Sequence, residues 1–149
     1  MPPDNIQKYK KQSHSTYDCR YHVVFVTKYR FRIISHEIEV ALKWIIKEIC
    51  DWKEIEILSG AVKEEHVHLY LQIPPKHSVS NAMKWIKGKS AERLFKKFPQ
   101  LQKQYWGQHL WARGYFVTTV GITDSAIRQY IQKQRQQELV NFSQIWKKR

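Results

Sequence analysis

Cysteine, acidic residues and long apolar runs are what this chain has least of. Only Cys19 and Cys50 occur in 149 residues, which excludes a disulfide framework and a CxxC zinc motif and suits small packed residues in a reducing cytosol. No apolar run approaches the ~20 residues needed to span a bilayer, and no secretory pattern opens the chain. A cytoplasmic protein without a membrane partner is expected. Thirteen Asp and Glu stand against 26 Lys and Arg, a formal charge of +13, and such an excess points to an anionic partner, most often nucleic acid.

The charge is unevenly spread. From His36 to Glu65 the chain is net acidic, so the basic excess lies in Lys8–Arg32, Lys84–Lys97 and from Lys103 onward. Six Trp and eight Tyr interleave with those stretches and include candidate platforms for unpaired bases, although any single one is as readily core. Hydrophobic residues make up 42%, enough for one domain spanning 1–149 with a core from about 17 to 139. A polar arm (1–15) and a basic tail (141–149) are expected to be flexible.

Periodicity gives the order of elements. Tyr17–Lys28 reads as a central strand, apolar on both faces, with His22 as a packed histidine. Ser35 is placed to cap a helix over His36–Trp52, where Ile38, Leu42, Ile45, Ile49 and Trp52 recur at helical spacing. Glu54–Lys63 reads as a strand with a bulge or twist at Gly60, leading tightly into a strand from Glu65 to Pro74. A second helix from Ser80 or Asn81 to Pro99 carries Lys84, Lys87, Lys89, Arg93, Lys96 and Lys97 around an apolar stripe. Leu101–Trp111 reads as irregular or weakly helical, Arg113–Gly121 as a fourth strand, and Ser125–Leu139 as a third helix capped by Thr123 or Asp124. The order β-α-β-β-α-β followed by a helix is that of an α+β, ferredoxin-like (RRM-like) unit. Two helices cover one face of a four-stranded antiparallel sheet and leave the other open.

The strand after Glu65 carries the chemistry. Side chains alternate across a sheet, so Val67, Leu69, Leu71 and Ile73 line the core face and His66, His68, Tyr70 and Gln72 the other. Two imidazoles side by side are available as metal ligands, but a divalent ion needs a further donor, and Glu65 points away if the strand is regular. On the last helix Tyr130 and Gln134 are one turn apart. A tyrosine is a possible covalent nucleophile and a glutamine carbonyl a possible ligand; from the residues alone, Tyr130 is equally an aromatic on the packing stripe of Ile127 and Ile131.

The chain resembles the single-tyrosine HUH transposases of bacterial and archaeal insertion sequences, the TnpA type. The likeness rests on His66-Val67-His68, on Cys19–Phe25 with Thr27–Arg30, and on Ile86-Lys87-Gly88-Lys89-Ser90. It continues through Leu110–Val117 with Thr119–Gly121 and ends in Tyr130-Ile131-Gln132-Lys133-Gln134. Glu64-Glu65 stands where the family commonly has Pro-Asp. The resemblance implies a transposase that cleaves and rejoins single-stranded DNA with hairpin ends through a 5′-phosphotyrosine at Tyr130. His66, His68 and Gln134 would hold Mg²⁺ or Mn²⁺, and Lys28, Arg30, Lys87, Lys89 and Arg93 the DNA phosphates. It also implies a homodimer with active sites shared between subunits. A domesticated relative acting on repeated chromosomal hairpins would share every site residue, and a non-catalytic RRM-like binder of single strands is the other alternative.

Overall fold

The computed structural model describes residues 9–12, 15–106 and 109–147, with side chains left out for Gln12, Arg135 and 137–147. Its main sheet contains β3 (Arg20–Val26), β4 (Glu56–Val62), β5 (His66–Gln72) and β6 (Phe116–Thr118). All neighbours are antiparallel in the order β4-β5-β3-β6. Helices α1 (His36–Trp52) and α2 (Val79–Lys97) cover one face. This is the ferredoxin-like arrangement expected from the order of elements, and it makes β3 and β5 the central strands.

The reason lies in the alternation. Val23 and Phe25 of β3 and Val67, Leu69 and Leu71 of β5 are buried against Leu42, Ile46 and Ile49 of α1 and Met83, Ile86 and Leu94 of α2. Each such side chain stabilises the fold by roughly 1.5–3 kcal/mol. A one-residue slip of β5 would bury His66, His68 and Tyr70 in this layer, so the register is strongly specified. Ser35 caps α1 by accepting from the Ile38 amide. Ser78, two residues before the expected start, caps α2 by accepting from the Asn81 amide.

Several expectations need correction. Lys10–Gln12, read as part of a flexible arm, forms β1 and pairs with β2 (Ser15–Tyr17); the arm's residues 1–8 lie outside the described ones. The shift in β4 falls between Ile57 and Ser59 rather than at Gly60. Gly60 is nonetheless tightly enclosed: a Cβ there would come within 2.9 Å of Leu69 Cδ2 and 3.2 Å of the His68 carbonyl, so both neighbours would have to shift. The helical alternative for the stretch after α2 holds over its first part, as a short helix α3 (Pro99–Gln104).

The fourth strand is shorter and interrupted. Its pairing with β3 begins at Leu110–Ala112, whose groups bond to Lys28 and Val26. It breaks where Gly114 takes φ +77° and resumes at Phe116. Lys87 Nζ reaches from α2 and donates to the carbonyls of Ala112 and Gly114 at 2.9 and 2.7 Å, satisfying acceptors on both sides of the break.

The face expected to be open is partly covered. Helix α4 (Asp124–Lys147) is longer than expected, and its backbone runs through most of the supposed tail; residues 148 and 149 lie outside the described ones. Thr123 Oγ1 accepts from the Ala126 amide at its start. Ile127 and Ile131 are buried on Val24, Val26 and Ala112, with Phe116, Ile122 and Tyr130 around them. Val24 and Val26 of β3 are apolar on this face, and that is why a helix settles on them. Among the described residues, no helix is long and apolar enough to cross a membrane.

Candidate active site

His66 and His68 project from β5 on the face away from α1 and α2, opposite Val26 and Val24 of β3. Their neighbours orient both rings. Glu65 precedes the regular strand, and its Oε1 lies 2.7 Å from His66 Nδ1. A carboxylate there fixes the ring with Nε2 outward, the usual outer partner of a metal-bound imidazole. Arg32 Nε is 3.7 Å from the other oxygen of Glu65. His68 Nε2 lies 3.2 Å from His22 Nδ1, and His22 stacks on Tyr70 with centroids 4.1 Å apart. Burial pulls the His68 imidazole below its ordinary value, His22 and His66 push it the same way, and Asp124 opposes them. The ring is therefore poised neutral, the form that can donate a lone pair to a metal.

Tyr130 and Gln134 share the face with the histidines. Gln134 Nε2 donates to the Tyr130 hydroxyl at 3.2 Å, the one-turn contact that their spacing predicts. The Tyr130 ring leans on Phe116 of β6 at 5.8 Å and borders a cleft of about 430 Å³ with Gln129 and Lys133. Gln134 Nε2 is also near Gly114, 3.8 Å from where a Cβ would stand. The four expected residues thus lie on one side of the sheet as two pairs, the histidines on β5 and Tyr130–Gln134 toward β6, with β3 between. Among the described residues, no three His, Cys, Asp or Glu cluster tightly enough to hold a metal.

The five expected DNA contacts fall into three situations. Lys28 and Arg30 sit in a 3-10 turn (Lys28–Arg30) beyond the His66 end of β3, where Tyr29 and Arg30 adopt φ 61° and 54°. Such backbone costs about 1–3 kcal/mol per residue and persists only where braced; here Thr27 Oγ1 donates to the Phe31 carbonyl and Tyr105 Oη to that of Lys28. Lys89 and Arg93 lie on the helix layer, near Glu92 at 3.7 Å and Glu48 at 2.6 Å. Lys87 is committed to two carbonyls, and burial pulls its ammonium down to about 8.

His22, expected as a packed histidine, and Glu65, expected to point away as a third ligand on a regular strand, both contact the histidine pair. The signal for His22 was present, since it shares a face with Val24, the residue opposite His68. Glu65 escapes the alternation argument because it precedes the strand.

Residues 15–134 match the family described as "Transposase IS200 like". The chain is 38% identical over 129 residues to the transposase for insertion sequence element IS200 of Salmonella typhimurium, covering 87% of this chain and 85% of that one. It is 34% identical over 130 residues to the ISDra2 transposase TnpA of Deinococcus radiodurans, covering 87% and 93%. A crystal structure of a transposase candidate from Deinococcus radiodurans superposes with a TM-score of 0.77 at 36% identity, over 84% of this chain and 97% of that one. The chain belongs to the IS200-like, single-tyrosine transposases of insertion sequences. It is accordingly an enzyme of DNA transposition and recombination, and the non-catalytic alternative falls away.

Proposed function

We propose that the protein cleaves and rejoins single-stranded DNA at the ends of an insertion sequence, with Tyr130 as nucleophile. The observation that carries this reading is the Gln134 Nε2 bond to the Tyr130 oxygen, on the sheet face that also holds two oriented imidazoles. The Tyr130 oxygen attacks phosphorus and loses its proton, a Tyr–O–P bond forms, and the bond to the 3′ oxygen breaks. That oxygen takes up a proton and leaves as a 3′-OH, giving a 5′-phosphotyrosine. An N–H aimed at the attacking oxygen stabilises the negative charge that develops on it. Attack by a different 3′-OH reverses the step and joins new ends without nucleotide hydrolysis.

The donor types suit a divalent ion once Gln134 is brought to the histidines: Nε2 of His66, the neutral His68 ring, and the Gln134 carbonyl left available by the Nε2 contact with Tyr130. Mg²⁺ or Mn²⁺ bound there would polarise a phosphate oxygen and orient the phosphorus. Lys28 and Arg30, on their braced turn, hold phosphates beside the scissile one. Lys89 and Arg93 take more distant phosphates on releasing their carboxylates, and Lys87 contributes by holding the Ala112–Gly114 segment.

Because β3 separates the two pairs, Gln134 reaches the histidines only if α4 crosses the sheet or a second copy supplies it. We favour a homodimer with shared sites, acting on hairpin-ended single strands as the family resemblance implies. Incubation with Mg²⁺ and hairpin oligonucleotides from candidate element ends is expected to yield a denaturation-resistant adduct. Tyr130→Phe should abolish the adduct and leave binding intact; an adduct formed by that variant would end the assignment. Mixing Tyr130→Phe with His68→Ala should restore part of the activity if sites are shared, and none if each chain is self-sufficient.

A further inference from the structure

Helix α4 covers only part of the histidine face. Beyond His22 and Tyr70 lies a second cleft of about 550 Å³, within the range of small-ligand sites. It is lined by Tyr9, Lys10, Asp18, Arg20, Glu56, Leu58 and Gln72. Three features of the fold converge on it. The β1–β2 hairpin forms one wall and is tied to β4 by the Lys10–Glu56 pair at 2.7 Å. The irregularity between Ile57 and Ser59 sets Leu58 in its lining, as bulges re-aim side chains. The end of β5 supplies Gln72.

Gln72 is only 4% exposed. Its Oε1 accepts from the Cys19 amide at 2.5 Å, which fixes the orientation of the side-chain amide because the backbone N–H is a donor. The Nε2 group has no acceptor among the described residues. A buried donor without a partner is costly, and a ligand acceptor removes that cost.

We propose that this cleft binds one unpaired nucleobase of the strand being cleaved, with a ring nitrogen or carbonyl accepting from Gln72 Nε2 and the base face resting on Tyr9 and Leu58. This rests on the reading of the histidine pair as the cleavage centre. Charge selects a base over a phosphate: Lys10 is paired with Glu56 and Arg20 with Asp18 at 2.6 Å, so an incoming phosphate would face two carboxylates. An uncharged base instead meets donors and acceptors on its edge and apolar walls on its face, since Tyr9 and Leu58 are 40% and 39% exposed. Gln72 and His68 share a strand face four residues apart, about 13 Å, so the bound base lies in the flank of the scissile phosphate.

The test is equilibrium binding of the full chain, without divalent ions, to a hairpin-ended oligonucleotide whose flanking nucleotides are made abasic one at a time. One position is expected to weaken wild-type binding about tenfold, the scale of a base–aromatic contact, and to have no effect in Gln72→Leu and Tyr9→Ala. A profile shared by wild type and both variants overturns the subsite and leaves the cleavage reading intact. Failure of wild type to bind any such oligonucleotide overturns both. Tyr9 is partly exposed, so its variant decides the matter should Gln72→Leu melt early.

Discussion

At the scale of single residues, what distinguishes this site is the partners of its imidazoles. Glu65 bonds His66 Nδ1, and outer partners of this kind are worth 10–100-fold in metal affinity. Glu65→Gln is therefore expected to weaken Mn²⁺ binding by about that factor, as read by titration calorimetry, while the melting temperature changes little. Unchanged affinity would remove Glu65 from the site. The two cysteines make a contrasting pair. Cys50 is fully buried and burial pushes its thiol up to about 12, whereas Cys19 is partly accessible. A maleimide should label Cys19 in the native protein and reach Cys50 only on unfolding; equal labelling rates would contradict this packing.

At the scale of elements, the described side chains of α4 hold it to the sheet at two points. Among those described side chains only Ile127 and Ile131 are buried on the sheet, so the first half of α4 is expected to open before the core does. Replacing both with Ala should raise amide exchange in α4 while β3 and β5 stay protected; uniform loss of protection would show that α4 belongs to the core cooperative unit. The join between α2 and the interrupted fourth strand makes a pH prediction. Lys87 has a folded pKa of about 8 against an ordinary value of 10.5, so between those values the unfolded chain binds more protons. Stability from this group therefore rises with pH through that window, and its cost is fully present below about 8. Lys87→Met should flatten the pH dependence of denaturant unfolding between about 8 and 10.5 relative to wild type.

At the scale of the whole molecule, the net charge of +13 is unevenly placed, because cations on the helix layer sit against carboxylates, as in Lys47–Asp51 and Arg93–Glu48. No carboxylate pairs with Lys28 or Arg30 among the described residues. Binding of single-stranded DNA should weaken linearly in log[salt] with a slope of about −0.7 per phosphate contacted. Replacing Lys28 and Arg30 together should reduce that slope more than replacing Lys89 and Arg93, which already have partners.

Much of this was legible beforehand because it depends on local periodicity. The alternation of Val67, Leu69 and Leu71 sets the facing of the histidines, the spacing of Tyr130 and Gln134 puts them in contact, and the order of elements leads to the ferredoxin-like sheet. Other features depend on what distant segments do when they meet. Residues opposite one another on β3 and β5 decided that His22 touches His68. Two apolar side chains on β3, Val24 and Val26, brought α4 onto a face expected to be open. The break at Gly114 turned Lys87 from an expected phosphate ligand into a clamp on two carbonyls, and the pairing of β1 with β2 made a cleft wall from an expected arm. Periodicity is a property of one segment, so the sequence by itself determined the elements and the facing of their side chains. Contact between segments is set by register and by which apolar surface remains uncovered, and only the tertiary structure decided those.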